Sequence, residues 1–265
     1  MKKRTLNCLF MLVVSASILM LQLPDTAQAY KIERKYYEKK GQVIWDVPSP
    51  QKEVAITFDD GPNPLYTPAI LDVLKKYHAK ATFFVVGKHI KRNPEIVKRE
   101  IREGHELGDH TYTHPHNFSY ASKRLFAKEV TKTENLIEKV QKNEVKLFRP
   151  PGGNLNKQII KYSNKKGYKI ILWSWHQDPK DWRNPGAGYI SRHILSNVKN
   201  GDIILLHDSG GNRQQTIEAL KIILPELQKR GFKCVTVSEL LQNDPKFTPL
   251  FPAELEPFKL FDAPS

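Results

Sequence analysis

Cysteine is scarce in this chain: its 265 residues hold two, Cys8 and Cys234. Cys8 lies in a segment with the marks of a removable leader, so only Cys234 is expected in the mature protein. A fold that relies on internal disulfides is thereby excluded. Acidic residues are also short, 28 Asp and Glu against 42 Lys and Arg, for a formal net charge of +14. No internal repeat or low-complexity tract occurs, which excludes a repeat architecture. No nucleic-acid-binding motif accompanies the positive charge, so nucleic acid is not the expected partner.

What is present begins with the leader. Lys2-Lys3-Arg4 is a positive start, Leu6 to Leu23 is largely apolar, and Ala27-Gln28-Ala29 is an A-x-A cleavage site. A signal peptide over residues 1–29 is expected, with the mature chain starting at Tyr30. An uncleaved membrane anchor is the alternative, since the apolar run is near bilayer length. Polar Asn7, Ser15 and Ser17 favour cleavage, and no lipobox precedes Cys8. Losing residues 1–29 removes Lys2, Lys3, Arg4 and Asp25, a net +2, and leaves +12. A basic exported protein is drawn to polyanions, of which the cell wall is one. The expectation is a secreted, wall-associated monomer with no stable membrane insertion. Part of the charge sits on ordinary helix faces such as Lys88 to Arg102.

The length suits one domain of barrel size. Strand-like and helix-like segments alternate. Strands are expected at Val54–Phe58, Ala81–Val86, Glu106–Gly108, Lys146–Phe148, Tyr168–Trp173, Asp202–Leu206 and Lys233–Thr236. Helices are expected at Thr67–Tyr77, Lys123–Val140, Asn156–Lys166, Tyr189–Val198, Arg213–Lys229 and Val237–Leu241, with another opened by Pro94 and capped by Asn93. Repeated βα units predict an α/β fold with a mostly parallel sheet and a site on one rim. Residues 30–50 read as a polar lead-in, 51–241 as the domain, and 242–265 as a Pro-rich tail bearing Phe247, Phe251, Phe258 and Phe261. Partial packing of that tail is expected.

Thr57-Phe58-Asp59-Asp60-Gly61-Pro62 places two adjacent carboxylates at a strand's C-terminal end. Neighbouring strand residues point to opposite faces, but the turn at Gly61 can rotate both acids into one pocket. Two close carboxylates repel unless a cation or proton divides them, so one can bind a metal while the other takes a proton. His110-Thr111-Tyr112-Thr113-His114 spaces two imidazoles i, i+4, which on a helical turn would hold one divalent ion. Arg149-Pro150-Pro151-Gly152-Gly153 is a stiff loop with one cation. Asp178-Pro179-Lys180-Asp181-Trp182 combines carboxylates with an aromatic. Leu205-Leu206-His207 puts an imidazole directly after an apolar strand. Each piece alone also fits an ordinary turn, core or surface role; five in this order at strand ends do not.

On these five motifs the chain resembles the polysaccharide deacetylase (NodB-homology) family, carbohydrate esterase family 4, across roughly residues 50 to 241. The resemblance implies a distorted (β/α) barrel with fewer than eight regular strands. It also implies metal-dependent removal of N-acetyl groups from a GlcNAc- or MurNAc-containing polymer, with peptidoglycan or chitin oligomers as the glycan partner. By motif position, Asp59 would be the catalytic base and Asp60, His110 and His114 the ligands of one divalent ion, zinc by preference or cobalt. Arg149 would orient the base, His207 would be the general acid and Asp181 its partner. Trp182 and Leu205 would line the acetyl-methyl pocket, and the Gly152 N–H would help hold the oxyanion. Gly152 is a departure, since many members carry a larger side chain there.

The same ligand set fits non-haem Fe(II), but no other oxygenase feature accompanies it. Two other functions stay open: an O-acetyl esterase on xylan or wall sugars, and a non-catalytic carbohydrate-binding homologue. His78, His89, His105 and His193 read as surface or core residues and His116 as a solvated loop. His176, near the fourth motif, is read either as a bland residue or as a sugar contact.

Overall fold

The structure is a computed structural model that describes residues 34–116, 118, 121–141 and 145–250. The expected leader, its cleavage site, and Phe251, Phe258 and Phe261 lie outside the described residues. The chain divides into two compact units, 1–40 and 41–265. In the first, residues 34–39 are helical, and Arg34 pairs with Glu38 at 2.6 Å. No helix among the described residues is long and apolar enough to cross a membrane.

The second unit contains eight strands: β1 (Val43–Ile44), β2 (Glu53–Asp59), β3 (Thr82–Val85), β4 (Glu106–Asp109), β5 (Lys146–Phe148), β6 (Tyr168–Ile171), β7 (Ile203–His207) and β8 (Lys233–Val235). Eight helices accompany them among the described residues: α1 (Tyr66–Lys76), α2 (Gly87–Arg92), α3 (Pro94–Arg102), α4 (Lys123–Ile137), α5 (Lys157–Lys165), α6 (Ala187–Asn197), α7 (Gln214–Lys229) and α8 (Val237–Gln242). The sheet order is β1-β6-β5-β4-β3-β2-β7, and β8 also pairs with β2. Every ladder is parallel, as a chain that returns through helices requires. β7 runs along one edge of β2. β8 takes the lower half of the other edge, beside Glu53 to Ala55, and β3 takes the upper half, beside Thr57 to Asp59.

The curled sheet does not close through a ladder between β1 and β7. One antiparallel bridge, Asp46 with Asp202, spans that seam. Ser174 fills it further: its hydroxyl donates to the Trp45 carbonyl at 3.2 Å and accepts from Ile203 N–H at 3.1 Å. The seam's backbone groups are thus satisfied without a regular strand. This is the distorted (β/α) barrel that the motifs imply, with β1 reduced to two residues.

Burial follows the strand period. On β2, Val54, Ile56 and Phe58 pack outward against α1, α6 and α7, while Ala55 faces the interior cluster of Ile44, Phe84, Leu147, Ile171 and Ile203. Each fully buried side chain of this kind contributes about 1.5–3 kcal/mol. α8 plugs the lower end through Val237, Leu240 and Leu241. It starts in a capping box, Thr236 with Glu239, a device worth about 1 kcal/mol.

Most expected elements lie within three residues of the observed ones, and the departures have physical causes. Within residues 41–50, expected as lead-in, Val43–Ile44 form a strand of the sheet, and Val43, Trp45 and Val47 are buried. A two-residue strand gives no alternation to read. β6 stops at Ile171 rather than Trp173, because the Arg149 guanidinium takes the carbonyls of Ile171 and Leu172. Asn93 precedes α3 but makes no cap bond; its amide donates to the Pro62 carbonyl at 3.3 Å. In the tail, Phe247 is buried against the lower end of the barrel, and Thr248–Leu250 form a 3₁₀ turn.

Candidate active site

The strands' C-terminal ends bring the first two motifs together. Asp59 ends β2 on its interior face, in line with Ala55 and Thr57. Asp60 leaves the strand with φ 78°, so the residue itself, and not only the Gly61 turn, swings the second carboxylate into the same pocket. Three donors hold this strained segment. His89 Nδ1 donates to the Asp60 carbonyl at 2.7 Å, Val86 N–H to Gly61 at 2.9 Å, and Asn93 to Pro62. At Gly61 only a hydrogen fits, since a Cβ would lie 2.1 Å from Asp208 Oδ2.

His110 follows β4. Its Nδ1 donates to the Arg149 carbonyl at 2.7 Å, which turns Nε2 toward Asp60. That Nε2 lies 3.5 Å from Asp60 Oδ1, and the His114 Nε2 lies 3.2 Å from the same oxygen. The expected helical turn between the two imidazoles is absent. Thr111 (φ 68°) and His114 (φ 56°) are left-handed, and residues 111–115 form bends. The i, i+4 pair converges through a looped backbone instead.

Asp60, His110 and His114 offer ligand atoms that all lie within 4.8 Å of one another. Asp60 Oδ1 is buried without a hydrogen-bond donor in good geometry, facing two imidazole nitrogens. Ligand atoms around one tetrahedral ion with bonds of 2.0–2.1 Å are separated by about 3.4 Å. An oxygen and two nitrogens at this spacing fit a divalent cation. Burial alone raises the Asp60 carboxyl; the close approach and charge of His110, with the charges of His207 and His114, outweigh it and hold Asp60 well below the usual carboxylate range. His114 is lowered by burial and by the neighbouring His110 charge.

The remaining motifs build the other side. Asp59 and His207 are register partners on adjacent strands. Arg149, expected on a loop, is fully buried inside the barrel. Its Nη1 donates to Asp59 Oδ1 at 2.7 Å and to Thr57 Oγ1 at 2.8 Å, and its guanidinium lies 4.0 Å from the centre of the Phe84 ring. His207 Nδ1 donates to Asp181 Oδ1 at 2.7 Å, while Asp181 Oδ2 accepts from His207 N–H and from Thr216. Burial pulls the imidazole down, but Asp181, with Asp59 and Asp60 beyond it, pushes His207 up to about 9.

Direct contacts therefore join Asp59, Asp60, His110, His114 and Arg149, and separately join His207 to Asp181 beside Asp59. Leu205 is buried two residues before His207, on the same strand face. Gly152 is exposed in the turn Pro151–Gly153 at φ 62°, where a Cβ would also meet Asn154 at 2.9 Å. A larger residue there is strained, which accounts for glycine at this position. Trp182 is half exposed, with the Arg183 guanidinium 4.6 Å from its ring centre.

Several supporting residues escape the motif pattern. His89, read from sequence as an ordinary surface or core histidine, holds the Asp60 backbone. Asp208 is fully buried and accepts from Thr67 at 2.5 Å. Burial pushes its carboxyl up to about 7 against that bond, with the Asp60 and Asp59 charges adding to the rise. Its adjacency to His207 was the one available signal. His176 proves not to face the site: it bonds Asp202 at 3.0 Å, at the opposite end of β7 from His207.

Known proteins carry the same pattern. The sequence profile of the polysaccharide deacetylase family matches residues 46–171, which include Asp59, Asp60, His110, His114 and Arg149. The chain is 50% identical to a peptidoglycan-N-acetylglucosamine deacetylase of Bacillus cereus over 209 residues, 79% of this chain and 97% of that protein. It is 37% identical to a chitooligosaccharide deacetylase of Sinorhizobium fredii over 190 residues, 68% of this chain and 87% of that protein. A crystal structure of a peptidoglycan N-acetylglucosamine deacetylase superposes with a TM-score of 0.74 at 35% identity, covering 79% of this chain and 97% of that one. The chain belongs to the polysaccharide deacetylase family.

Proposed function

We propose that this protein removes N-acetyl groups from GlcNAc residues of peptidoglycan, with chitin oligomers as a second substrate class. One observation carries the reading: a buried, orphaned carboxylate oxygen faces two imidazoles on the same rim where a carboxylate and a charged imidazole sit on neighbouring strands. The relatives named above act on these glycans, and the basic charge favours a wall polymer.

Amide hydrolysis needs a water deprotonated as it attacks, a stabilised oxyanion, and a proton for the departing amine. A divalent ion held by Asp60, His110 and His114, zinc or cobalt by ligand type, supplies Lewis acidity for the water and the carbonyl. Asp59 takes the proton as the water oxygen bonds to the carbonyl carbon, and Arg149 fixes its orientation. His207, carrying its proton at neutral pH, gives it to the amide nitrogen as the C–N bond breaks. Acetate and a free sugar amine result. Asp181 keeps the imidazole charged and aligned. The Gly152 N–H is assigned to the oxyanion, and Trp182 and Leu205 to the acetyl methyl.

The protein acts outside the cell as a monomer. It is exported by the segment ending at Ala29, starts at Tyr30 and is held at the wall by charge; N-terminal sequencing of the natural product tests the cleavage. Its domain spans 51–241 together with the β1 segment.

Acetate release is to be measured side by side on purified peptidoglycan, chitooligosaccharides and acetyl-xylan. Release from the first, lost on chelation and restored by zinc, is expected. Release from acetyl-xylan alone makes the protein an O-acetyl esterase, and release from none with metal bound makes it a binding homologue.

A further inference from the structure

We infer that Glu129 is a positioning residue for metal binding, the group that holds the backbone between His110 and His114 in its ligating shape. The inference rests on the ligand set proposed above. Glu129 lies on α4, outside all five motifs, and is 4% exposed. Its Oε2 accepts three hydrogen bonds from the loop: Thr113 N–H at 2.7 Å, Tyr112 N–H at 3.1 Å and Thr113 Oγ1 at 3.0 Å. No lysine or arginine forms an ion pair with it among the described residues. A buried carboxylate with no counter-charge is retained only where its acceptor bonds matter.

The loop needs such a clamp. Thr111 and His114 both take left-handed backbone that side chains other than glycine disfavour. The amides of Tyr112 and Thr113 therefore belong to no helix or strand, and Glu129 satisfies both. The remaining loop amides are held locally, Thr111 N–H by Asp109 Oδ1 at 2.7 Å and His114 N–H by Thr111 Oγ1 at 3.1 Å. The Gly87 and Lys88 N–H groups at the start of α2 hold the Thr111 and Tyr112 carbonyls at 3.0 Å each, and Glu129 is the long-range tie on the loop's amide side, next to His114. Without it, the two amides seek water, the left-handed pair relaxes, and the His114 imidazole leaves the position 3.2 Å from Asp60 Oδ1.

The test is zinc affinity of the metal-free protein, measured by competition with a chromophoric chelator, with folding checked by circular dichroism on the same samples. Groups that orient metal ligands typically change affinity 10–100-fold when removed. Glu129→Ala is expected to weaken binding by about tenfold or more, and Glu129→Gln, which keeps an acceptor but drops the charge, by about threefold. Asp60→Ala serves as the control. Wild-type protein that binds no zinc, or binds it equally well as Asp60→Ala, sinks the ligand set itself. Wild-type binding that depends on Asp60 but is unchanged in folded Glu129→Ala overturns the role of Glu129. Should that variant not fold, Glu129→Gln decides, and an affinity equal to wild type overturns the inference.

Discussion

The two sides of the site are built differently. Asp59 and His207 sit at the ends of regular, paired strands, and each has a buried partner already in place. Asp60 and His114 sit on left-handed backbone just beyond the strands, and the carboxylate oxygen between the imidazoles has no donor. The proton-moving side is complete in the protein alone, whereas the ligand side carries strain and an unsatisfied atom. Left-handed backbone costs about 1–3 kcal/mol per residue, so His89, Asn93 and Glu129 must over-determine the loops. Groups that transfer protons need fixed pKa values, which buried partners provide. Groups that bind an ion need convergence on a point, which a straight strand cannot supply because its side chains alternate.

The sharpest way to break this comparison is to mutate the adjacent acids. Asp60→Asn is expected to lose bound metal and about 10³-fold or more of activity, as a missing ligand implies. Asp59→Asn is expected to lose about 10²–10⁴ in rate, the usual worth of a general base, while retaining metal. Metal content by elemental analysis alongside acetate release decides it. Equal metal loss in both would mean that the division between the two sides is misplaced.

Removing Arg149 probes the completeness of the proton-moving side. Arg149→Met leaves Asp59, 4% exposed, without its counter-charge. Breaking one partner of a buried pair typically costs about 3–5 kcal/mol. Denaturant unfolding should show a loss of that order. A loss below about 1 kcal/mol would show that Asp59 is readily solvated and not held as described.

A smaller, pH-dependent effect is expected from Asp181. His207 is raised to about 9 in the folded protein, against about 6.5 for a free imidazole. A raised pKa contributes stability that is complete below about pH 6.5 and is lost as pH climbs through about 9. The difference corresponds to roughly 3 kcal/mol or slightly more in metal-free protein. Thermal melts of that form from pH 6 to 10 should fall across this window, and Asp181→Asn should flatten the fall. The same variant should move the alkaline limb of kcat to lower pH. An unchanged limb would remove His207 from the role of proton donor.

Much of this was legible in the chain. Regular alternation of strand and helix signals gave the parallel sheet; the spacing of acids and imidazoles pointed to a cation site, and the family resemblance chose Asp60 over Asp59 for it. The failures were local. The i, i+4 histidines read as a helical turn because spacing carries no information on the sign of φ. β1 was missed because two residues have no period. Arg149 was expected beside Asp59 only through the family resemblance, and its full burial gave no local signal, because its partners, Thr57, Asp59 and the end of β6, are distant in sequence. His89 and Glu129 gave no signal, since a residue that acts by hydrogen bonding another segment's backbone leaves no pattern on its own.

By itself, then, the sequence determined the layering and the chemistry: apolar runs and turn residues fix strands and helices locally, and residue type fixes which atoms can bind a cation or carry a proton. Tertiary structure decided the rest. Strand register set Asp59 beside His207, closure of the seam by Ser174 and the Asp46–Asp202 bridge made a barrel of a sheet, and donors from His89 on α2 and Asn93 just before α3, with the Glu129 acceptor on α4, held the ligand loops in shapes the chain would not keep alone. Hydrogen bonds between segments far apart in sequence, unlike propensity and periodicity, exist only once the fold has brought those segments together.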